Sequence, residues 1–555
     1  MVVYSTSALG FGRMGENREL KFALEKFWRR EIAAADLLAV AHQVEQSAWK
    51  LQVDAGIDRI TVGDHCLYDN VATWAESLGI VPSRFAALEP GMDRMFSMCR
   101  GIDGAEALSK YHHVAYNKPC MCVYCITHIF TKPVCTGAIN SKGPLVNSTH
   151  FKYCMDKSLP LLAGMKKWIT SNYHYMVPEV DESLGDLSSD FSSYLSDIKR
   201  GISSLGEKAT PVVMGPVSMV YLCAFKFPGA IGIQRLALLE KLLPIYRELM
   251  VDIAALGAKE IQIHEPSLVF ADASLASLFK RAYEGPASIL SATGPDINMV
   301  SFFEDVGESN YKWLISVPGI KTVSLDFTRG DSLSLIKKYG FPADKVLGAG
   351  LIDGRHVWKV NPTLVGDTLS ELTAAGVANI RIQPSSSLQF VPWNLESEKA
   401  LLSHTAGPVL AYSKQKLTEI VAVAKNDTSF LSDATTKWDE YTSTLAADPT
   451  VANRVAALTE ADFSRKEKFE DRIKQQLPGL PILPTTTIGS FPQTKEIRSL
   501  RNQYKRGRIT EEEYEAKIDQ QIALMIGIQE ALGLDILVHG EPERTVSHNV
   551  SMDCE

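Results

Sequence analysis

The chain has 555 residues, a formal charge of -8 at pH 7 and 45% apolar residues, enough for two to four ordinary domains or for one large barrel with part of another. That balance gives no global reason to expect nucleic acid or an anionic membrane as partner, so an anionic ligand has to be met by local basic groups. No apolar run reaches the roughly eighteen residues of a membrane span, and the opening "MVVYSTSALGFG" lacks the marks of a secretory signal, so a cytoplasmic protein is expected.

In chain order, short β-rich runs alternate with long helical patterns, the signature of βα units and a parallel sheet. Eight candidate strands precede residue 400, ending near Leu9-Gly10, Val62-Gly63-Asp64, Met214-Gly215, Ile263-His264-Glu265, Ala292-Thr293, Leu325-Asp326, Gly348-Ala349-Gly350 and Ile382-Gln383. Eight such units predict a closed (β/α)8 TIM barrel, an α/β fold, over residues 1–425, with functional groups at the carboxyl ends of its strands. Between the second and third strands, at about 110–160, a stretch almost free of acidic residues holds Cys120, Cys122, Cys125, Cys135 and Cys154. Cys122 and Cys125 have the spacing of zinc ligands, which His128, Cys135 or His150 would complete. The competing readings are a poorly ordered insertion and translated non-coding sequence such as a retained intron. The odd total of nine cysteines and the scatter of the others do not fit a secreted disulfide framework.

Beyond Ala424 the texture turns polar and helical, which predicts a linker over 426–480 ended by Pro478, Pro481 and Pro484. Residues 481–555 then repeat the start of the chain. "ALGFGRMGENRELK", a helical stretch and "AGIDRITVGDH" are echoed by "TIGSFPQTKEIRSLR", a helical stretch and "LGLDILVHGE", with Gly10 to Gly56 matching Gly489 to Gly533. Such self-similarity points to duplication of a structural unit. Thr510 and Glu513 form a capping box that opens a helix of the second copy. A second barrel is begun, and its first two strands precede the terminal "TVSHNVSMDCE", which changes character abruptly.

Arg18 and Lys21, three residues apart on one helix face near the first strand end, could hold a multiply anionic ligand tail; the alternative is a solvated face. Lys167 stands beside Trp168, Tyr173, His174 and Tyr175, whose rings could flank a flat heterocycle or pack a core. In the second copy, Ile488, Gly489 and Ser490 offer backbone N–H groups and a hydroxyl at a strand end to a small zwitterion, and Glu541 at the next strand end could accept its ammonium.

Taken in order, "GFGRMGENRELK", "NYHYMVPE", "GAGLIDGRHVW", "PTTTIGSFPQT" and "LGLDILVHGEPER" resemble the cobalamin-independent methionine synthases, 5-methyltetrahydropteroyltriglutamate–homocysteine methyltransferases. The resemblance covers nearly the whole chain apart from the Cys-rich insert and the last eleven or so residues. It implies two (β/α)8 barrels, the first a degenerate duplicate of the second, and methyl transfer from a folate polyglutamate to homocysteine without cobalamin. It implies folate-polyglutamate contacts at Arg18, Glu19, Leu20, Lys21 and Lys167, and homocysteine contacts at Ile488, Gly489, Ser490 and Glu541. It also implies a catalytic zinc whose His, Cys, Glu and Cys ligands, with a proton-donating His, belong to a later part of the second barrel that this sequence lacks. No catalytic or metal-binding residue is therefore assigned. His264 stands where the family usually has Asp, and Ser387 where Cys is common. The expectation is a monomer acting on small molecules, without nucleic-acid or membrane partners and without synthase activity on its own. The alternative is a non-catalytic folate-polyglutamate-binding barrel.

Overall fold

The computed structural model describes residues 4–101 and 164–544, apart from 172, 183–184, 186, 271, 293, 447–448, 477–478 and 492. The Cys-rich stretch with its candidate zinc ligands and the terminal "TVSHNVSMDCE" lie outside the described residues. Two compact units are formed, Met1–Leu445 and Ala446–Glu555.

The strands of the first unit are β1 (Ser5–Thr6), β2 (Ile60–Val62), β3 (Met165–Lys167), β4 (His174–Met176), β5 (Glu179–Val180), β6 (Ala209–Met214), β7 (Ala224–Phe225), β8 (Glu260–His264), β9 (Asp296–Val300), β10 (Ile320–Asp326), β11 (Val346–Ile352) and β12 (Ile380–Pro384). β3 and β4 make an antiparallel hairpin, and β5 and β7 a small parallel pair. The other eight form one sheet whose spatial order follows chain order from β2 to β12, with β1 beside β12. A parallel bridge from Ser7 to Arg59 joins β1 to β2, and the Ala8 N–H donates to the Arg59 carbonyl at 2.9 Å. The ring is therefore closed, as eight successive βα units predict.

One strand departs from the expected pattern. The fifth is Asp296–Val300, whereas Ile289–Ala292 forms a 3-10 turn. Pro295 lies between them and has no N–H for a ladder, so pairing starts only after it.

Residues of β8 and β12 alternate, with Ile261, Ile263 and Ile382 in the apolar core and Glu260, Gln262, Arg381 and Gln383 buried among polar groups. Arg381 reaches Glu260 with two bonds of 2.6 and 2.8 Å. β12 and β8 are not neighbours in the sheet, so this pair spans the barrel's interior. Ser324 of β10 likewise meets Gln383 at 3.3 Å and Asn298 at 2.7 Å. Gly348 of β11 sits under that contact, and a Cβ there would lie 2.2 Å from Ser324 Oγ.

In the second unit, Thr510 opens the helix Glu511–Ala531 with the expected capping box, Thr510 N–H to Glu513 Oε2 at 3.0 Å and Glu513 N–H to Thr510 Oγ1 at 3.2 Å. The duplication is visible in hydrogen bonds. Thr6 donates to Asp58 Oδ2 from N and from Oγ1, both at 2.9 Å, and its Oγ1 accepts the Asp58 N–H at 2.9 Å. Thr485 and Asp535 form the same three bonds at 2.7, 2.7 and 3.1 Å. One turn later Gly63 and Gly540 both take positive φ, 77° and 84°, which a side chain would strain. The next residues are Asp64 and Glu541, so the two carboxylates occupy equivalent strand ends.

Candidate functional site

In the first unit the turn after β1 leads into the helix Glu19–Trp28. Arg18 is its N-cap residue with φ 61° and ψ 33°, a left-handed conformation that costs a non-glycine residue energy and clusters at functional sites. The Glu19 carboxylate folds back to accept from Asn17 N and Nδ2 at 3.0 and 3.2 Å. Leu20 is fully buried with Ala23, Leu24 and Leu37, so its side chain anchors the turn while Lys21 remains half-exposed on the surface.

Lys167 is exposed at the end of β3, opposite His174 in the hairpin. Trp168 and Tyr175 pack edge to face at 5.8 Å inside the core. The Tyr173 hydroxyl donates to Asp69 at 3.2 Å, and its ring meets Phe390 at 5.5 Å. The hairpin is tied to several strand-end loops. Asp69, which caps the helix Asn70–Leu78, also accepts the Met176 N–H at 3.4 Å. Arg355 donates to the Thr170 carbonyl and, at 3.1 Å, to Thr170 Oγ1, and Thr170 Oγ1 donates to the Phe303 carbonyl at 3.3 Å. Asp69, Phe303, Arg355 and Phe390 follow β2, β9, β11 and β12 respectively, so the hairpin carrying Lys167 lies across the carboxyl-end mouth of the barrel.

Further ionisable residues stand at or just beyond the ends of β2, β8 and β10. Burial pushes Asp64, Asp69, Glu265 and Asp326 each up to about 6. The same desolvation pulls His65 down to about 4 and His264 to about 3, so both imidazoles are neutral at physiological pH. Desolvation works against the Arg13 charge, but its pKa is raised overall, with the Asp69 carboxylate among the groups that favour it, and it donates to the Leu67 carbonyl at 3.1 Å. The available sequence signal for Asp64 was its match to Glu541 in the repeat.

In the second unit a parallel bridge joins Ser490 to Gly540, which sets two strand ends side by side. Ser490 Oγ donates to Glu541 Oε2 at 2.9 Å. A Cβ on Gly489 would stand 3.9 Å from Glu541 Oε1, and Arg544 lies at 3.9 Å from the same oxygen. Glu541 has φ 54°, again left-handed. Ile488 is 80% exposed. Ser490 and Glu541 are thus brought together by a bond, with Gly489 beside them.

Two family models match the chain. "Cobalamin-independent synthase, N-terminal domain" covers residues 5–117 and 156–376, and "Cobalamin-independent synthase, Catalytic domain" covers 483–549. The chain belongs to the cobalamin-independent methionine synthase family. Within that family it is 41% identical over 546 residues to the 5-methyltetrahydropteroyltriglutamate–homocysteine methyltransferase of Synechococcus sp. (strain JA-2-3B'a(2-13)), covering 97% of this chain and 63% of the relative. The protein of the same name from Trichodesmium erythraeum (strain IMS101) is 38% identical over 98% of this chain and 64% of its own length. The rice relative, from Oryza sativa subsp. japonica, is 34% identical over 97% and 64%. The chain therefore spans a little under two thirds of the length of these relatives. Among the described residues no helix is long and apolar enough to cross a membrane.

Proposed function

We propose that the chain carries the folate-binding barrel and the homocysteine-binding strand ends of a methionine synthase, which moves the N5 methyl of 5-methyltetrahydropteroyltri-L-glutamate to the sulfur of L-homocysteine. The observation that carries this reading is the match of 98% of the chain to 64% of a relative named for that reaction. Arg18 at its left-handed helix cap and Lys21 in the first turn of the helix, with the Glu19 and Leu20 backbone and Lys167 on the hairpin, meet the carboxylates of the oligoglutamate tail. Glu541 takes the ammonium of homocysteine, while Ser490 and the backbone of Ile488 and Gly489 take its carboxylate. In this reading residues 1–425 are the binding barrel, 426–480 a linker and 481–555 the start of the catalytic barrel, in a cytoplasmic monomer.

The chemistry needs two further things. A free thiol is only a few per cent thiolate at neutral pH, and a tertiary amine leaves poorly unless protonated, so an activated sulfur and an acid are both required. The family resemblance assigns thiol activation to zinc. Among the described residues no group of three or more His, Cys, Asp or Glu is arranged to hold a metal ion, so they do not fit a zinc site and no step is assigned through one. The chain by itself is expected to bind folate polyglutamate without forming methionine.

Calorimetric titration with triglutamate and monoglutamate forms of methyltetrahydrofolate tests the binding half. The triglutamate is expected to bind about tenfold more tightly, and Arg18→Ala/Lys21→Ala to erase the difference, since each exposed ion pair contributes up to about 1 kcal/mol. Equal affinities in the parent would refute the tail site. Methionine formation by the purified chain, abolished by a chelator, would refute the expected inactivity.

A further inference from the structure

We propose that the outer face of the helix Lys495–Lys505 is a binding site for an oligophosphate, an anion with three or more phosphates in line. Lys495, Arg498, Asn502 and Arg506 recur at steps of three and four residues, so they share one face over about 16 Å. Arg508 joins them from beyond the Gly507 turn, whose φ is 63°. With Gln503 these residues line a cleft of about 380 Å³. A second cleft of about 580 Å³, towards the helix Glu511–Ala531, shares Lys495 and Gln503 and adds Lys517, with Glu496 on its wall. Ligand sites commonly have volumes of this size.

The cations are available. Among the described residues, Lys495, Arg498, Arg506 and Arg508 make no ion pair or hydrogen bond through their side chains. Arg501 of the same helix differs, donating to Gln493 Oε1 at 3.0 Å and to the Pro542 carbonyl at 3.1 Å. Between 495 and 510 six Lys and Arg stand against one carboxylate, Glu496, in a chain whose overall formal charge is -8. Glu511, Glu512 and Glu513 follow, but Glu513 turns back to cap the Thr510 N–H at 3.0 Å.

Three of the four unpaired cations are arginines, whose planar fork matches phosphate oxygens in pairs. A row of cations along a helix suits a linear anion better than a compact one. Among the described residues no aromatic ring lines the first cleft, so none of them stacks a base there as single-stranded nucleic-acid sites do.

Calorimetry on the full chain at low salt, with sodium tripolyphosphate, orthophosphate and ATP in turn, tests this. Tripolyphosphate is expected to saturate one site, with orthophosphate at least about tenfold weaker. ATP binding as tightly as tripolyphosphate would make a nucleotide tail the natural source, and weaker ATP binding would make it an inorganic chain. Arg498→Ala/Arg506→Ala is expected to lose at least about tenfold in affinity with its helix content intact, because alanine is the strongest helix former. Lys466→Ala/Lys468→Ala, which alters exposed cations outside the cleft, should bind like the parent. The proposal is overturned if tripolyphosphate shows no saturable binding, if the Lys466 and Lys468 variant loses as much, or if a single-stranded oligonucleotide of equal phosphate number displaces tripolyphosphate at lower concentration.

Discussion

Replacing Arg381 with Met tests the polar interior of the barrel. Glu260 and Arg381 are 3% and 7% exposed and joined by two short bonds across the ring. Removing the guanidinium leaves a buried carboxylate without its ion-pair partner, a change that costs roughly 3–5 kcal/mol. Arg381 Nε has no hydrogen-bond partner among the described residues, so the pair's own desolvation is incompletely offset. Glu260→Leu/Arg381→Met should therefore recover most of the loss, to within about 1 kcal/mol of the parent, because well-packed apolar replacements of buried pairs are commonly neutral or better. Urea unfolding followed by tryptophan fluorescence, run on the parent, both single variants and the double variant, gives the coupling energy directly. A loss below about 1 kcal/mol for Arg381→Met, or a double variant as unstable as the worse single one, would refute the reasoning.

Other outcomes follow from the same geometry. Gly348→Ala puts a methyl against Ser324 Oγ and Gln383 Oε1 and is expected to lower stability by about 1–3 kcal/mol, read as a drop in melting temperature; an unchanged melting temperature would contradict the tight interior. Asp69→Ala removes the acceptor shared by Ala72 N–H, Met176 N–H and Tyr173 O–H, so amide exchange should quicken at Met176 while the strands of the barrel stay protected, and uniform quickening would count against a local tie. Burial raises Asp326 from 3.8 to about 6, so the folded barrel holds that proton more tightly than the unfolded chain. Its contribution to stability is full below about pH 4 and is lost as pH rises through about 6. The stability difference between Asp326→Asn and the parent should therefore move in the variant's favour as pH rises from about 5 to about 7, and movement the other way would reverse the assigned sign. His65 and His264, lowered to about 4 and 3, act in the opposite sense, since the unfolded chain takes up their protons first as pH falls through about 6.5. On the proposed substrate sites, Glu541→Gln should weaken homocysteine binding about tenfold or more while leaving oligoglutamate binding unchanged.

Much of the architecture was legible because it rests on local rules. Strand–helix alternation gave the ring, and the Thr510–Glu513 spacing gave the cap. The "GxD" echo located Asp58 and Asp535, whose identical bonding to Thr6 and Thr485 supports the copy. The fifth strand was misplaced because "ASILSAT" has the composition of a strand while Pro295 fixes where pairing can begin. The ties that hold the Lys167 hairpin were not legible. Tyr173 reaches Asp69 over 104 residues and Thr170 reaches Arg355 over 185, and neither separation leaves a local pattern. The aromatic cluster beside Lys167 offered two uses, and burial assigns Trp168 and Tyr175 to packing, leaving Tyr173 and His174 nearer the surface. The left-handed backbone of Arg18 and Glu541 is equally silent in composition.

The Ser7–Arg59 bridge and the β1–β12 ladder give the first strand neighbours from both extremes of the barrel sequence. At synthesis rates of about 5–20 residues per second, a nascent β1 waits roughly 20–75 s for Ile380–Pro384 to emerge. During that interval Thr6 can be held on the β2 side alone, by Asp58. The reciprocal Thr–Asp clasp is thus well placed to act as an early latch, keeping the amino-terminal edge occupied until the last stave of the barrel arrives.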